Sequence, residues 1–127
     1  MLKIWIAAFG LSVAAGAAAH AANAPELTGT WSGVGPSVSS DEGWEDARSA
    51  SLQITEQRGP VFKGHVQYEG GEEDFVGVVQ ADGKSIRISN DDGIVTGTLM
   101  SPGEMEVCYV EGGDDAIANC SVLKRSE

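Results

Sequence analysis

The feature that most limits what this chain can become is its beat of turn glycines. Gly59, Gly70, Gly83, Gly93, Gly103 and Gly112 recur about every ten residues, each in a polar cluster such as Arg58-Gly59-Pro60, Asn90-Asp91-Asp92-Gly93 or Ser101-Pro102-Gly103. Between the clusters apolar and other residues alternate. Phe62, Gly64, Val66 and Tyr68 share one face, as do Phe75, Gly77 and Val79, or Met105, Val107 and Tyr109. A period of two puts one face on a core and the other in water. Turns at this spacing belong to an all-β sandwich or barrel.

The pattern predicts eight strands: Leu27–Gly33, Ser49–Gln57, Val61–Tyr68, Asp74–Gln80, Ser85–Ser89, Ile94–Met100, Glu104–Val110 and Ala116–Lys124. Ala81-Asp82-Gly83-Lys84 contains Asp-Gly, the strongest short hairpin signal. Every connection after the first is hairpin-short, so the order is an antiparallel up-and-down meander. Such a meander closes most simply into an eight-stranded barrel, which leaves no exposed edge. The exception is Val34 to Arg48, which has no clear period and reads as a long polar loop carrying Asp41, Glu42, Trp44, Glu45 and Asp46. Three strands share the form apolar-x-Gly-x-apolar around Gly64, Gly77 and Gly97. A mid-strand glycine on the inward row relieves crowding and lets a small barrel bend.

Residues 1–21 do not read as part of the fold. Lys3 precedes an apolar run, Ile4 to Val13, and a tract of small residues ending in Ala19-His20-Ala21. That is the pattern of a secretory signal peptide cleaved after Ala21, and the run is too short for a good membrane span. Residues 22–26 are then a tail and residues 27–125 one small domain. In an oxidising compartment Cys108 and Cys120 are expected to form a disulfide. The two are nearly symmetric about Asp114, so they face each other across the last hairpin. If both point outward, Asn119 and Ser121 point inward. Either two polar groups line the barrel or a β-bulge shifts the alternation.

Charge narrows the partners. The formal net charge is −11, and removal of Lys3 makes it more acidic. Such a surface repels phosphate backbones and anionic membranes, so neither nucleic acid nor membrane insertion after cleavage is expected. Catalysis is poorly supplied. His65 is the only histidine after residue 21 and falls on a polar strand face. No nucleophile-elbow motif is present. The carboxylates, among them Glu69, Glu72, Glu73, Asp74, Asp91, Asp92, Asp114 and Asp115, cluster at turns, where Asp has backbone reasons to be. No calcium-loop spacing appears, so no metal site or cofactor is expected.

Gly29-Thr30-Trp31 on a first strand, a meander after it, and Arg125 just after the last strand resemble the calycin-type barrels: the lipocalins, the avidins and the small bacterial metalloprotease inhibitors. The resemblance is architectural. It implies that Gly29 and Trp31 sit at one end of the barrel and that Arg125, or Lys124 in its place, packs across the indole. It places a lid loop at Val34–Arg48. It does not extend to a biotin site, because the avidins carry Trp residues on later strands and this chain has none after Trp44. The inhibitors insert an N-terminal tail into a protease; the matching segment here is Ala22 to Glu26, with Pro25 in it.

The expected function is therefore that of a secreted or periplasmic, non-enzymatic binding protein. Its partner is a small apolar molecule or an exported protein. The bulky inward row can fill the barrel; if a cavity exists, Tyr68, Tyr109, Asn119 and Ser121 are its polar lining. An alternative is inhibition of an exported hydrolase through the tail or through Trp44, which either contacts the partner or folds back as a plug. A carboxylate-dependent hydrolase is a distant third, and would need two carboxylates in one cleft.

Overall fold

A computed structural model describes residues 24–68 and 70–126. The expected signal peptide lies outside these residues. Strands β1 (Gly29–Ser39), β2 (Gly43–Arg58), β3 (Val61–Tyr68), β4 (Gly71–Val79), β5 (Ser85–Ser89), β6 (Ile94–Ser101), β7 (Glu104–Glu111) and β8 (Ile117–Arg125) follow one another. They form a closed antiparallel barrel in sequence order, shut by β1 pairing with β8. The all-β meander read from the glycine spacing is the observed fold.

The turns after β1, β3, β5 and β7 gather at one end, here called the mouth. The turns after β2, β4 and β6 and both described chain ends gather at the other, the floor. The floor is packed solid. Leu27, Trp31, Ile86, Met105 and Leu123 are fully buried there, and Phe62 meets Phe75 edge to face at 6.3 Å between ring centroids. Burial of this kind contributes roughly 1.5–3 kcal/mol per large side chain.

The first strand explains how the floor is sealed. Trp31 Nε1 donates to the Leu27 carbonyl at 2.9 Å, so its buried polar atom is satisfied. The Arg125 guanidinium lies over the indole, 4.6 Å from its centroid, and Arg125, rather than Lys124, is the covering cation. A guanidinium Nη2 also donates to the Glu26 carbonyl. A bulge between Ile54 and Glu56 shifts the alternation of β2, so Gln57 turns in below Ile54. Gln57 accepts from Leu27 N at 2.8 Å and donates to the Pro25 carbonyl at 2.7 Å. The described part of the tail is thereby tied to the floor.

The expected loop at Val34–Arg48 is not a loop. β1 runs on to Ser39, turns within residues 40–42, and β2 starts at Gly43. The apolar beat is missing for a steric reason. The inward positions Gly33 and Gly35 face β8 too closely for larger residues: a Cβ on Gly35 would stand 1.9 Å from the Cys120 carbonyl oxygen. There is thus no lid over the mouth from this segment. The hairpin tip is pinned to the last one, with Ser40 N donating to the Ala116 carbonyl and Ala116 N to Ser40 Oγ, each at 2.9 Å.

Cys108 and Cys120 are directly paired across β7 and β8 and joined by a disulfide. Their strands run in unbroken register from Glu104–Lys124 to Glu111–Ile117. No bulge intervenes, so of the two alternatives the polar one holds: Asn119 and Ser121 face inward.

Candidate functional site: the barrel mouth

Inward rows are filled from the floor upward, and the large residues run out before the mouth. Above the layer of Leu52, Phe75, Ile88, Val107 and Leu123 the barrel encloses a cavity of about 260 Å³. This is a little below the ~300–1,000 Å³ of sites for drug-sized ligands. Its walls hold Ala50, Val66, Val95, Asn119 and Ser121; its rim holds Arg48, Tyr68, Glu73, Asn90, Asp92, Tyr109 and Glu111. The bulky inward inventory therefore fills only the lower half.

The four residues proposed to line a cavity, Tyr68, Tyr109, Asn119 and Ser121, are all in this lining. What the sequence reading left in turns is the acidic part of the rim. Glu73 stands opposite Val66 on β3 and continues the inward row of Phe75, Gly77 and Val79. Glu111 likewise continues Met105, Val107 and Tyr109. Extending each alternation by two residues would have found both.

The rim is held by a polar network. Asn90 Nδ2 donates to Glu73 Oε2 at 3.0 Å, and Tyr68 Oη to Glu73 Oε1 at 3.4 Å. Asn90 Oδ1 accepts from Gly93 N at 2.8 Å, which holds the β5–β6 turn and places Asp92 beside Glu73. Tyr109 Oη donates to Glu111 Oε2 at 2.6 Å. Burial raises the Glu73 carboxyl above its ordinary range, and the hydrogen bond and charge of Asp92 push it the same way. Burial likewise raises the Tyr109 phenol, helped by its bond to Glu111 and that carboxylate's charge, and by Asp92 and Glu73 farther off. Tyr68 is raised by partial desolvation and then by the charge of Glu73. Both phenols therefore stay neutral donors at physiological pH.

Ser121 is 5 % exposed, and none of the side-chain hydrogen bonds among the described residues reaches its hydroxyl. Groups of three or more potential metal ligands are absent among the described residues. His65, on the outer wall, bonds Gln53 at 2.8 Å and lies away from the cavity.

Trp44 lies on β2, not in a loop, and is 84 % exposed. It is not a plug: it is outside the cavity lining and points from the outer wall. It begins a cross-strand row of mutually facing residues, Trp44, Val38, Ala118, Val110 and Ile94, that crosses five adjacent strands just below the mouth. Pro25 is held at the floor by Gln57, at the far end from the cavity.

No protein-family model matches the sequence, and a search of curated proteins finds no match. Among solved structures the chain is similar to a redesigned β-barrel, with 16 % identity, a TM-score of 0.52, and coverage of 85 % of this chain and 96 % of that one. That likeness is one of fold.

Proposed function

We propose that this protein is a secreted, non-enzymatic binding protein that holds a small, largely apolar ligand in the upper half of its barrel. The observation that carries this reading is the cavity: apolar at its base, polar at its rim, and set above a solidly packed floor. A hollow of this size in an otherwise close-packed interior forgoes packing energy, and an occupant would restore it. The disulfide fits an oxidising compartment, in line with the signal-like N-terminal sequence.

The test is binding of an environment-sensitive apolar dye to the purified protein, and its displacement by small aromatic and aliphatic compounds. Ala50→Leu places a larger side chain in the cavity wall without touching the floor. It should abolish binding while the melting temperature holds or rises. No dye or compound bound by the wild type, or undiminished binding in Ala50→Leu, refutes the reading.

One observation favours a protein partner as a second reading. Trp44, Val110 and Ile94 of this row are exposed on the outer wall, and exposed aromatics beside apolar neighbours suit contact surfaces. An exported hydrolase inhibited through this face would be released by Trp44→Ala. A carboxylate hydrolase has less support. Glu73 and Asp92 do share the mouth, but Glu73 is already engaged by Asn90 and Tyr68.

A further inference from the structure

We propose that the ligand is a compact amphiphile with a cationic head, an alkyl- or arylalkyl-ammonium, whose hydrocarbon sits against Phe75, Ile88 and Val107 and whose ammonium lies among Glu73, Asp92 and Glu111. The proposal rests on reading the cavity as a ligand site and adds the chemistry of what fills it.

The size of the cavity sets the scale. At about 260 Å³ it lies a little below the ~300–1,000 Å³ of drug-sized sites, room for one ring or a short chain within the barrel. The base is hydrocarbon, so the body of the ligand is apolar.

The rim sets the charge. Ion pairs among the described residues lie on the outer wall, where Glu56 meets Arg58 and Lys63, and Glu72 approaches His65. Glu73, Asp92 and Glu111 have no lysine, arginine or histidine partner there. Their bonds come from neutral donors instead: Asn90 and Tyr68 to Glu73, Tyr109 to Glu111. Neutral donors orient a carboxylate and leave its charge uncompensated. Glu73 and Asp92 lie close enough to repel each other, and an ammonium between them would relieve that repulsion and offer three donors to their free lone pairs. Arg48 is the only basic residue in the lining among the described residues. It enters from β2 and forms no ion pair among the described residues.

A polar side chain deep in the wall also looks to the cavity for its partner. Ser121 is over nine-tenths buried, its hydroxyl faces the cavity, and it has no hydrogen-bond partner among the described residues. Among the described residues this hydroxyl is not one of the sealed, unpartnered side-chain atoms, so it is reached from the cavity and takes its partner from whatever fills that space.

Calorimetric titration with three probes of one shape tests the proposal: 2-phenylethylammonium, neutral 2-phenylethanol and anionic 3-phenylpropanoate. The ammonium should bind about tenfold tighter than the alcohol, the worth of a charge-assisted hydrogen bond at a half-solvated rim. That preference should shrink at high salt and vanish in Glu73→Gln/Asp92→Asn. The salt dependence of the wild type carries the test if the double variant does not fold. Equal or tighter binding of the alcohol overturns the cationic head and leaves the cavity reading standing. Tightest binding of phenylpropanoate, lost in Arg48→Gln, overturns it in favour of an anionic head. Failure of all three probes to bind removes both readings.

Discussion

The barrel closes only because β1 and β8 come closer than side chains allow, and Gly35→Ala tests that directly. The added Cβ would stand 1.9 Å from the Cys120 carbonyl oxygen and 2.6 Å from Ser121 Oγ, where real Cβ contacts stay beyond 3.0 Å. The Ser121 hydroxyl can rotate aside; the Cys120 carbonyl is backbone and belongs to a strand tied to β7 by the disulfide. Relief therefore needs a shift of about 1 Å along a seam fixed on both sides, by Trp31–Arg125 below and Ser37–Asn119 above. Overpacking of this kind costs about 1–3 kcal/mol. The loss of one or two seam hydrogen bonds adds about 0.5–1.5 kcal/mol each. A total of about 1.5–6 kcal/mol lowers the melting temperature of a domain this size by at least about 6 °C. Gly103→Ala is the control: nothing lies within 4 Å of its Cβ, and a compatible Gly→Ala change is neutral or stabilises by about 0.4–1 kcal/mol. Thermal melts followed by circular dichroism read both. A Gly35→Ala melt within a few degrees of wild type would show that the seam is not steric.

Three further outcomes are expected. Arg125→Ala should lose the cation–π contact over Trp31, about 0.5–2 kcal/mol, and loosen the chain at Glu26, whose carbonyl it holds; limited proteolysis reads the second effect, and an unchanged cleavage pattern contradicts it. Cys108→Ser/Cys120→Ser opens a loop defined by a sequence separation of 12 and should cost about 2–3 kcal/mol. Because the pair lies on the outer wall, dye binding should survive; loss of binding in a folded variant would tie the disulfide to the cavity. Asp82 accepts from the Ser85 hydroxyl and from Ser85 N and Lys84 N, which lowers its carboxyl to about 2. Its folded value is depressed, so its stabilisation is present above the ordinary Asp range and is lost as pH falls through about 2. Asp82→Asn should flatten acid unfolding over that window, and a carboxyl NMR titration placing Asp82 at an ordinary value would contradict the assignment.

How much of this was legible in the sequence follows from what each residue is asked to do. Where a strand separates a packed core from water, as at Phe62–Tyr68 or Met105–Tyr109, alternation shows it. It fails at Val34–Arg48, because the inward residues there are small to let two backbones meet, and because β2 before Ser51 has no partner on β3 to bury its other edge. The bulge that turns Gln57 to the floor left no composition signal. The disulfide fixed the facing of Asn119 and Ser121 once a bulge was ruled out. Glu73 and Glu111 were hidden by proximity to turns, where acidic residues usually need no other reason. The cavity itself could not be read, since its volume depends on how far up the barrel the large inward side chains reach rather than on how many there are.

The closure of β1 on β8 also bears on how the chain gets there. The other strand pairings join neighbours in sequence, while this one brings Trp31 to Arg125. Closing a long loop adds little to the stability cost, since that cost grows only with the logarithm of length. Rate is another matter, because distant contacts come slowly. Until the seam forms, the meander has two bare strand edges, and each newly made molecule is open to pairing with another. Pulsed hydrogen exchange during refolding should find the β1 and β8 seam amides protected last; early protection there would reverse the order. The arginine over the tryptophan, made only once the seam is shut, then acts on reopening: it limits how often the two edges are bared again to other copies of the protein.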